Sequence, residues 1–195
     1  MKRVIEQIYK FHQVSITSEE ETIPGYLFSD RQAQELEKYK VCSTERGNIE
    51  LHKTVIKELE SILSDRANLA ALFLPETKQS LRFSHNDLSS PNILVDNSHI
   101  HFIDYDYLGS NYLAYDIANF LSETTFDYFS EEYPGFKHFR RLTFEEVTLY
   151  SKFYEGYYAD MEIDVFKFLS VLNLYWAFWG IKLFESYKGE GFGIA

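Results

Sequence analysis

The apolar residues of the first sixty positions recur at helical spacing. One apolar stripe near the start of the chain consists of Val4, Ile5, Ile8 and Phe11. A second helix is predicted from about Asp30, with Ser29 as its N-cap, and "TIPGY" before it is predicted to be a loop. A third helix fits "IELHKTVIKELESIL", and Pro75 with the polar "ETKQ" ends the pattern. The amino-terminal part is therefore predicted to be helical.

After residue 80 the pattern changes to the alternation typical of strands. "LRFS" and "NILVD" are predicted to be short strands, and "HIHFIDY" alternates again. The residues between the last two segments, Asp96, Asn97 and Ser98, favour a turn. The sequence therefore predicts a β-hairpin in the middle of the chain.

Helical spacing returns after Gly109. "YDIANFLSETTFDYF" is predicted to be a helix with Asp116 as its N-cap. Thr143 followed by Glu146 resembles a capping box, which would open a helix through about Tyr157. These features predict two more helices in the carboxy-terminal half.

A last long helix is predicted from about Asp164 to Tyr187, where Gly189 would end it. Its uncharged run between Lys167 and Lys182 is shorter than the roughly 20 residues that span a bilayer. We therefore interpret it as a buried helix and expect a chain that does not span the membrane. The predicted fold class is α+β, mostly helical, with residues 1–195 as a single domain and no repeats.

The composition narrows the classes of partner. The formal net charge of −11 argues against nucleic acid, because phosphate backbones attract the opposite charge, and it favours a small cation. Cys42 is the only cysteine, so the chain can form neither an intrachain disulfide nor a thiolate metal site. The first residues lack the unbroken apolar segment of a secretory signal. A cytoplasmic location is therefore expected.

The stretch "SHNDLSSPN" places candidate chemistry beside the hairpin. If the turn is centred near Ser98, antiparallel pairing brings Asn92 roughly opposite Asp104, and these two oxygen ligands suit Mg²⁺. Asp87 would then orient a substrate hydroxyl towards the γ-phosphorus of ATP, while His85 supports the loop. The alternative is purely structural, with Asp87 capping a turn and Asp104 ending a strand. The pairing with Asp104 favours the phosphoryl-transfer interpretation.

Three stretches together resemble the choline/ethanolamine kinase family. They are "FSHNDLSSPNILV", "FIDYDYLGSNYLAYDIANFLSET" and "WAFW", in the order and spacing of that family. The resemblance covers the chain from about Ile5 to the end and looks closest to choline kinases of apicomplexan-type protists. It implies the C-terminal lobe of the protein-kinase-like fold, with a short catalytic hairpin and without the N-terminal lobe that clamps ATP. The chain alone is therefore expected to be inactive.

The resemblance also implies a set of site residues. Asp87 is the catalytic residue and Asp116 supports its loop, although Asp116 could equally be only a helix cap. Asp106 follows Asp104 at a spacing of two, so both could extend from one side of a strand towards the metal that Asn92 and Asp104 bind. The family usually has Glu at this position, which leaves a direct contact of Asp106 with the metal open. The implied substrate pocket consists of Tyr107, Glu123, Tyr128, Trp176 and Trp179.

The two tryptophans lie three apart on one helix and so share a face. Such a pair is more often part of a core, but the net acidity and the hairpin favour a site for a quaternary ammonium ion. The remaining histidines show no metal-ligand spacing and are expected to be surface or satisfied polar groups. They are His12, His52, His99, His101 and His138.

The implied activity is that of a choline kinase, with Mg²⁺ as cofactor, ATP as co-substrate and phosphocholine, a phospholipid precursor, as product. Ethanolamine is the rival substrate, and a non-catalytic kinase-like binding module is the other alternative. The sequence leaves open whether the chain forms a homodimer.

Overall fold

The computed structural model describes residues 1–14, 23–47, 49–73, 81–127, 131, 137–138 and 140–186. The chain divides into two compact units. The first unit comprises Met1–Thr22 and Pro75–Leu172, and the second comprises Ile23–Leu74 and Asn173–Ala195. The single domain stays a prediction. The α+β class and the helical majority are confirmed.

In its described residues, the first unit contains six short strands and most of the predicted site residues. Its helices are α1 (Lys2–Phe11), α6 (Leu113–Glu123), α7 (Phe144–Ser151) and the first half of α8 (Met161–Ser186). Its strands are β1 (Leu81–Ser84), β2 (Ile93–Val95), β3 (Ile100–Phe102), β4 (Gly109–Tyr112), β5 (Phe126–Asp127) and β6 (Lys137–His138). The strands form three antiparallel pairs, β1 with β4, β2 with β3 and β5 with β6.

Helix α6 is the centre of the first unit, since every residue from Leu113 to Leu121 is buried. A helix that is buried on all sides is expected to be apolar all round, and Asp116 and Asn119 are the exceptions in α6. Such buried polar groups need hydrogen-bond partners. Both residues find them in the loop after β1, which ties this loop to the core.

The second unit is helical in its described residues. It contains α2 (Ile23–Leu27), α3 (Arg31–Glu45), α4 (Ile49–Ser64), α5 (Arg66–Phe73) and the second half of α8. Its core consists of Leu27, Leu36, Tyr39, Ile56, Leu59, Leu63, Phe178 and Ile181. Within the described residues, no helix combines the length and the apolar character needed to cross a membrane.

Several predicted boundaries are wrong. "TIPGY" was predicted to be a loop, but Ile23–Leu27 form α2, and the Ser29 hydroxyl donates to the Tyr26 carbonyl oxygen instead of capping α3. Asp116 does not cap α6, because Tyr112 occupies the N-cap position.

The capping box of Thr143 and Glu146 is confirmed, although α7 ends earlier than predicted, at Ser151. Helix α8 begins at Met161, slightly before the predicted start. Phe126 and Asp127, predicted to be helical, form β5. The predicted ends at Tyr187 and Gly189 lie outside the described residues.

Candidate active site

The candidate catalytic loop runs from the end of β1 to a short 3₁₀ turn at Ser90–Asn92. His85 and Asn86 are buried, and Asp87 is half-buried at the point where the loop turns. Asn86 has a φ of 67°, in the left-handed region that asparagine tolerates better than most residues. The backbone here is therefore held in an uncommon conformation by the surrounding contacts.

Asp116 supplies those contacts. Its Oδ2 accepts a hydrogen bond from the backbone N–H of His85 at 2.8 Å, and its Oδ1 accepts one from the N–H of Asn86, also at 2.8 Å. Hydrogen bonds to a carboxylate are stronger than those to a neutral acceptor. The buried carboxylate of Asp116 thus fixes the backbone amides of two successive loop residues, His85 and Asn86.

His12 and Tyr154 extend this network. The Nε2 of His12 lies 3.0 Å from Asp116 Oδ2, and its Nδ1 lies 2.9 Å from the Tyr154 hydroxyl. An ionised carboxylate only accepts, so Nε2 donates to Asp116, and Tyr154 donates to Nδ1 when the ring is neutral. Burial raises the pKa of Tyr154, which keeps its hydroxyl protonated for this role.

Sequence reasoning treated His12 as an ordinary polar group. The structure confirms that it is satisfied, but its partner is the carboxylate that holds the loop. Its burial could have been predicted from its position. His12 falls on the same helical stripe as Ile5 and Ile8, which are fully buried.

Asparagine side chains add further hydrogen bonds to the loop. Asn86 Nδ2 donates to the Tyr107 carbonyl oxygen at 2.8 Å, and Asn111 Nδ2 donates to Asn86 Oδ1 at 2.8 Å. Asn119 Oδ1 accepts from the backbone N–H of Leu88. Their roles were missed because each partner lies more than twenty positions away in the chain.

Asp87 is joined to Asn92 within the loop. Asn92 Nδ2 donates to both the backbone oxygen and Oδ2 of Asp87, each at 3.0 Å. Burial raises the pKa of Asp87, and the nearby charge of Asp104 raises it further, while His85 and Asn92 act in the opposite direction. Burial is thus the main reason why the Asp87 carboxyl group holds its proton more tightly than a free one.

The hairpin places Asp104 one position from its predicted partner. Ile93 pairs with Phe102, and the N–H of Ile103 donates to the Asn92 carbonyl oxygen at 3.0 Å, so Asn92 faces Ile103. The Nε2 of His85 lies 3.0 Å from the Ile103 carbonyl oxygen, which ties the loop to the hairpin. Asp104 follows, exposed and with a φ of 63°.

Asp106 is also exposed, in a turn after β3. The prediction that Asp104 and Asp106 extend from one strand is wrong, because β3 ends at Phe102. Among the described residues, Asp87, Asp104 and Asp106 do not bring three ligand atoms within 4.8 Å of one another. The part of Asp106 at the metal remains a prediction.

The predicted substrate residues are distributed over both units. In the second unit the rings of Trp176 and Trp179 lie edge to face, 5.7 Å apart, and Tyr175 adds a third ring 5.1 Å from Trp176. Tyr107 and Glu123 belong to the first unit, where both are half-buried. Tyr128 lies outside the described residues. The assembly of these groups into one pocket remains a prediction.

Solved kinases share this fold. The chain is similar to a choline kinase from Cryptosporidium parvum, with a TM-score of 0.66 and 25% identity over 93% of this chain and 58% of that chain. It is also similar in fold to an ethanolamine kinase from Plasmodium vivax, with a TM-score of 0.64 and 18% identity over 96% of this chain and 54% of that chain. The predicted kinase-like lobe is thus confirmed.

A family model described as choline/ethanolamine kinase matches residues 1–194, so the chain belongs to the choline/ethanolamine kinase family. A probable choline kinase 3 of Arabidopsis thaliana is 36% identical over 53% of this chain and 33% of its own length. A choline/ethanolamine kinase of Homo sapiens is 27% identical over 64% of this chain and 37% of its own length. An ethanolamine kinase 2 of Rattus norvegicus is 32% identical over 51% of this chain and 27% of its own length. The chain spans well under two thirds of these relatives.

Proposed function

We propose that this chain is the substrate- and metal-binding lobe of a choline kinase. The reaction is the transfer of the γ-phosphoryl group of ATP to the hydroxyl of choline, giving phosphocholine and ADP. The observation that carries the proposal is the fixed position of Asp87, between the Asn92 amide and an anchor at the buried Asp116. Membership of the family supports the reaction class.

Asp87 is the proposed catalytic residue. Its carboxylate accepts the hydrogen bond of the choline hydroxyl and orients the oxygen for attack on the γ-phosphorus. A new bond forms between this oxygen and phosphorus, the bond to the bridging oxygen of ADP breaks, and the hydroxyl proton passes to Asp87. A raised carboxyl pKa suits the residue to accept a proton.

The donor set beside Asp87 fits Mg²⁺. The Asn92 amide donates from its nitrogen, which leaves its oxygen available as a ligand, and the Asp104 carboxylate is exposed next to it in the hairpin. A cation here would also relieve the repulsion between Asp87 and Asp104. When bound, the ion neutralises charge on the phosphate oxygens. Asp106 is proposed as a third, direct or water-mediated, ligand.

Choline is the proposed substrate because its quaternary ammonium group cannot donate N–H hydrogen bonds and is best held by aromatic faces. Trp176 and Trp179 offer two such rings on one helix, and Glu123 would supply the opposite charge. Tyr107 and Tyr128 are proposed to complete the pocket. Ethanolamine remains the rival, because relatives of this chain carry that name.

The chain itself allows a test of the substrate site, since Trp176 and Trp179 are its only tryptophans. Choline should quench their fluorescence with an affinity roughly tenfold higher than that of the neutral isostere 3,3-dimethylbutan-1-ol, a factor of the size expected from cation–π contacts. Ethanolamine is the third ligand, and sodium chloride controls for ionic strength. Equal quenching by choline and the isostere would contradict the cation pocket. Stronger binding of ethanolamine would decide for an ethanolamine kinase.

A further inference from the structure

The tip of the β2–β3 hairpin carries three ligand-type side chains on one face. Asp96 and His99 close the turn, and the N–H of Asp96 donates to the His99 carbonyl oxygen at 3.1 Å. His101 pairs with Leu94 in the next position of the ladder. Because side chains alternate along a strand, Asp96, His99 and His101 project from the same face.

The ligand atoms of these residues converge. His99 Nδ1 lies 3.3 Å from Asp96 Oδ1, and His101 Nε2 lies 3.5 Å from Asp96 Oδ2. Two ligands of a tetrahedral zinc ion are roughly 3.3 Å apart when each is about 2.0–2.1 Å from the metal. Within the part of the chain that the structure describes, this is the one group of three His, Cys, Asp or Glu residues with ligand atoms within 4.8 Å of one another.

The carboxylate of this group is held in place by the turn. Asp96 Oδ1 accepts hydrogen bonds from the backbone N–H groups of Ser98, at 3.1 Å, and His99, at 2.8 Å. Hydrogen bonds of this kind orient ligating carboxylates in metal sites. They leave Oδ2, the oxygen that faces His101, as the atom best placed to bind an ion.

We propose that Asp96, His99 and His101 form a binding site for a divalent transition metal ion, with Zn²⁺ as the best match to two imidazoles and one carboxylate. The three side chains are 58–68% exposed, so a fourth position would be open to water. Mg²⁺ does not compete effectively, because it prefers an oxygen shell. The site is separate from Asp87 and does not rest on the proposed phosphoryl transfer.

The sequence did not indicate this site, because the histidines were predicted to be surface or satisfied polar groups, and His99 and His101 are indeed exposed beside Asp96. Their spacing of two is a metal-ligand pattern only on a strand, where it places both on one face. The third ligand comes from the opposite strand through the turn. An ion bound here would connect the end of β2 to β3 and so stabilise the hairpin that carries Asn92 at its base.

The test is calorimetric titration of the 195-residue chain with ZnCl₂ in a buffer that contains Mg²⁺. His99→Gln and His101→Gln each remove one imidazole, and Asp96→Asn removes the negative ligand while keeping an oxygen for the turn. Asn97→Ala, in the same turn but outside the three proposed ligands, is the matched control. Circular dichroism establishes that each variant is folded.

Wild type and Asn97→Ala should each bind one Zn²⁺, and each ligand variant should lose roughly tenfold or more in affinity. Nuclear magnetic resonance should show ring shifts for His99 and His101, with the buried His12 and His85 unchanged. Zinc uptake that persists unchanged in the two histidine variants would place the ion elsewhere and overturn the proposal. Absence of uptake by the wild type would show that these residues form Asp–His pairs only.

Discussion

Replacement of Asp116 by asparagine tests the anchor of the catalytic loop. The carboxylate accepts from the amides of His85 and Asn86 and from His12. An asparagine has one acceptor oxygen, so its NH₂ group must face one of these donors. The change loses a hydrogen bond to a charged acceptor and leaves a buried N–H unpaired, which together cost about 3 kcal/mol.

Amide hydrogen exchange measures this loss of free energy at the loop amides themselves. Since about 1.4 kcal/mol corresponds to a factor of ten, the Asn86 amide should exchange roughly 100-fold faster in Asp116→Asn than in the wild type. Asp65→Asn, at an exposed position of the second unit, is the control and should leave this rate unchanged. An increase below tenfold in Asp116→Asn would refute the reasoning.

Three further predictions concern the same unit. His12→Phe removes a donor to Asp116, and urea unfolding should show a loss of about 1.5–3 kcal/mol; an unchanged midpoint would contradict the network. Thr143→Ala removes the side-chain cap of α7 and should cost about 1 kcal/mol in the same assay, whereas no loss would mean that the cap contributes nothing. In metal-free solution the carboxyl pKa of Asp87 should lie above 3.8, and Asp104→Asn should lower it, as followed by carbon-detected magnetic resonance. A pKa unaffected by Asp104→Asn would show that the two carboxylates do not interact.

The raised pKa of Asp87 also determines how ionisation of this carboxyl group changes the stability of the fold. A carboxyl whose pKa is raised on folding binds its proton more tightly in the folded state. The fold therefore loses stability as the pH rises from the carboxyl pKa of the unfolded chain through the higher pKa of the folded protein. The candidate active site thus retains a partly buried charge that a purely structural turn would not need.

The sequence predicted the regular elements well where a single apolar stripe decides them. Helices α1 and α4 follow from periodicity, and the hairpin follows from its turn residues. Helix α2 was missed because Pro24 and Gly25 suggest a loop, although proline is tolerated in the first turn of a helix. Strand β4, "GSNY", has no apolar alternation and depends on its pairing with β1.

The register of the hairpin shows how small a difference matters. A turn centred on Ser98 would pair Asn92 with Asp104, whereas the observed turn is centred between Asn97 and Ser98. This shift of half a residue moves every cross-strand partner by one position. The sequence therefore located the site residues near one another but could not fix their pairing.

The contacts of His12, Asn86 and Asp116 were beyond the sequence for a different reason. Each joins elements that are far apart along the chain, and local patterns carry no information on such pairs. The sequence allowed Asp116 to be either a helix cap or a support of the loop, and its hydrogen bonds are to the loop. Its effect on catalysis remains a prediction.

The most direct test of the proposed function is phosphocholine formation by a protein that contains this chain together with a triphosphate-binding lobe. Asp87→Asn should lower kcat by roughly 10²–10⁴-fold, the usual contribution of a positioned base, with little change in the KM for choline. Asp65→Asn is the matched control and should retain wild-type turnover. If Asp87→Asn stays within about threefold of wild type, Asp87 is not the catalytic residue and the proposed active site is wrong.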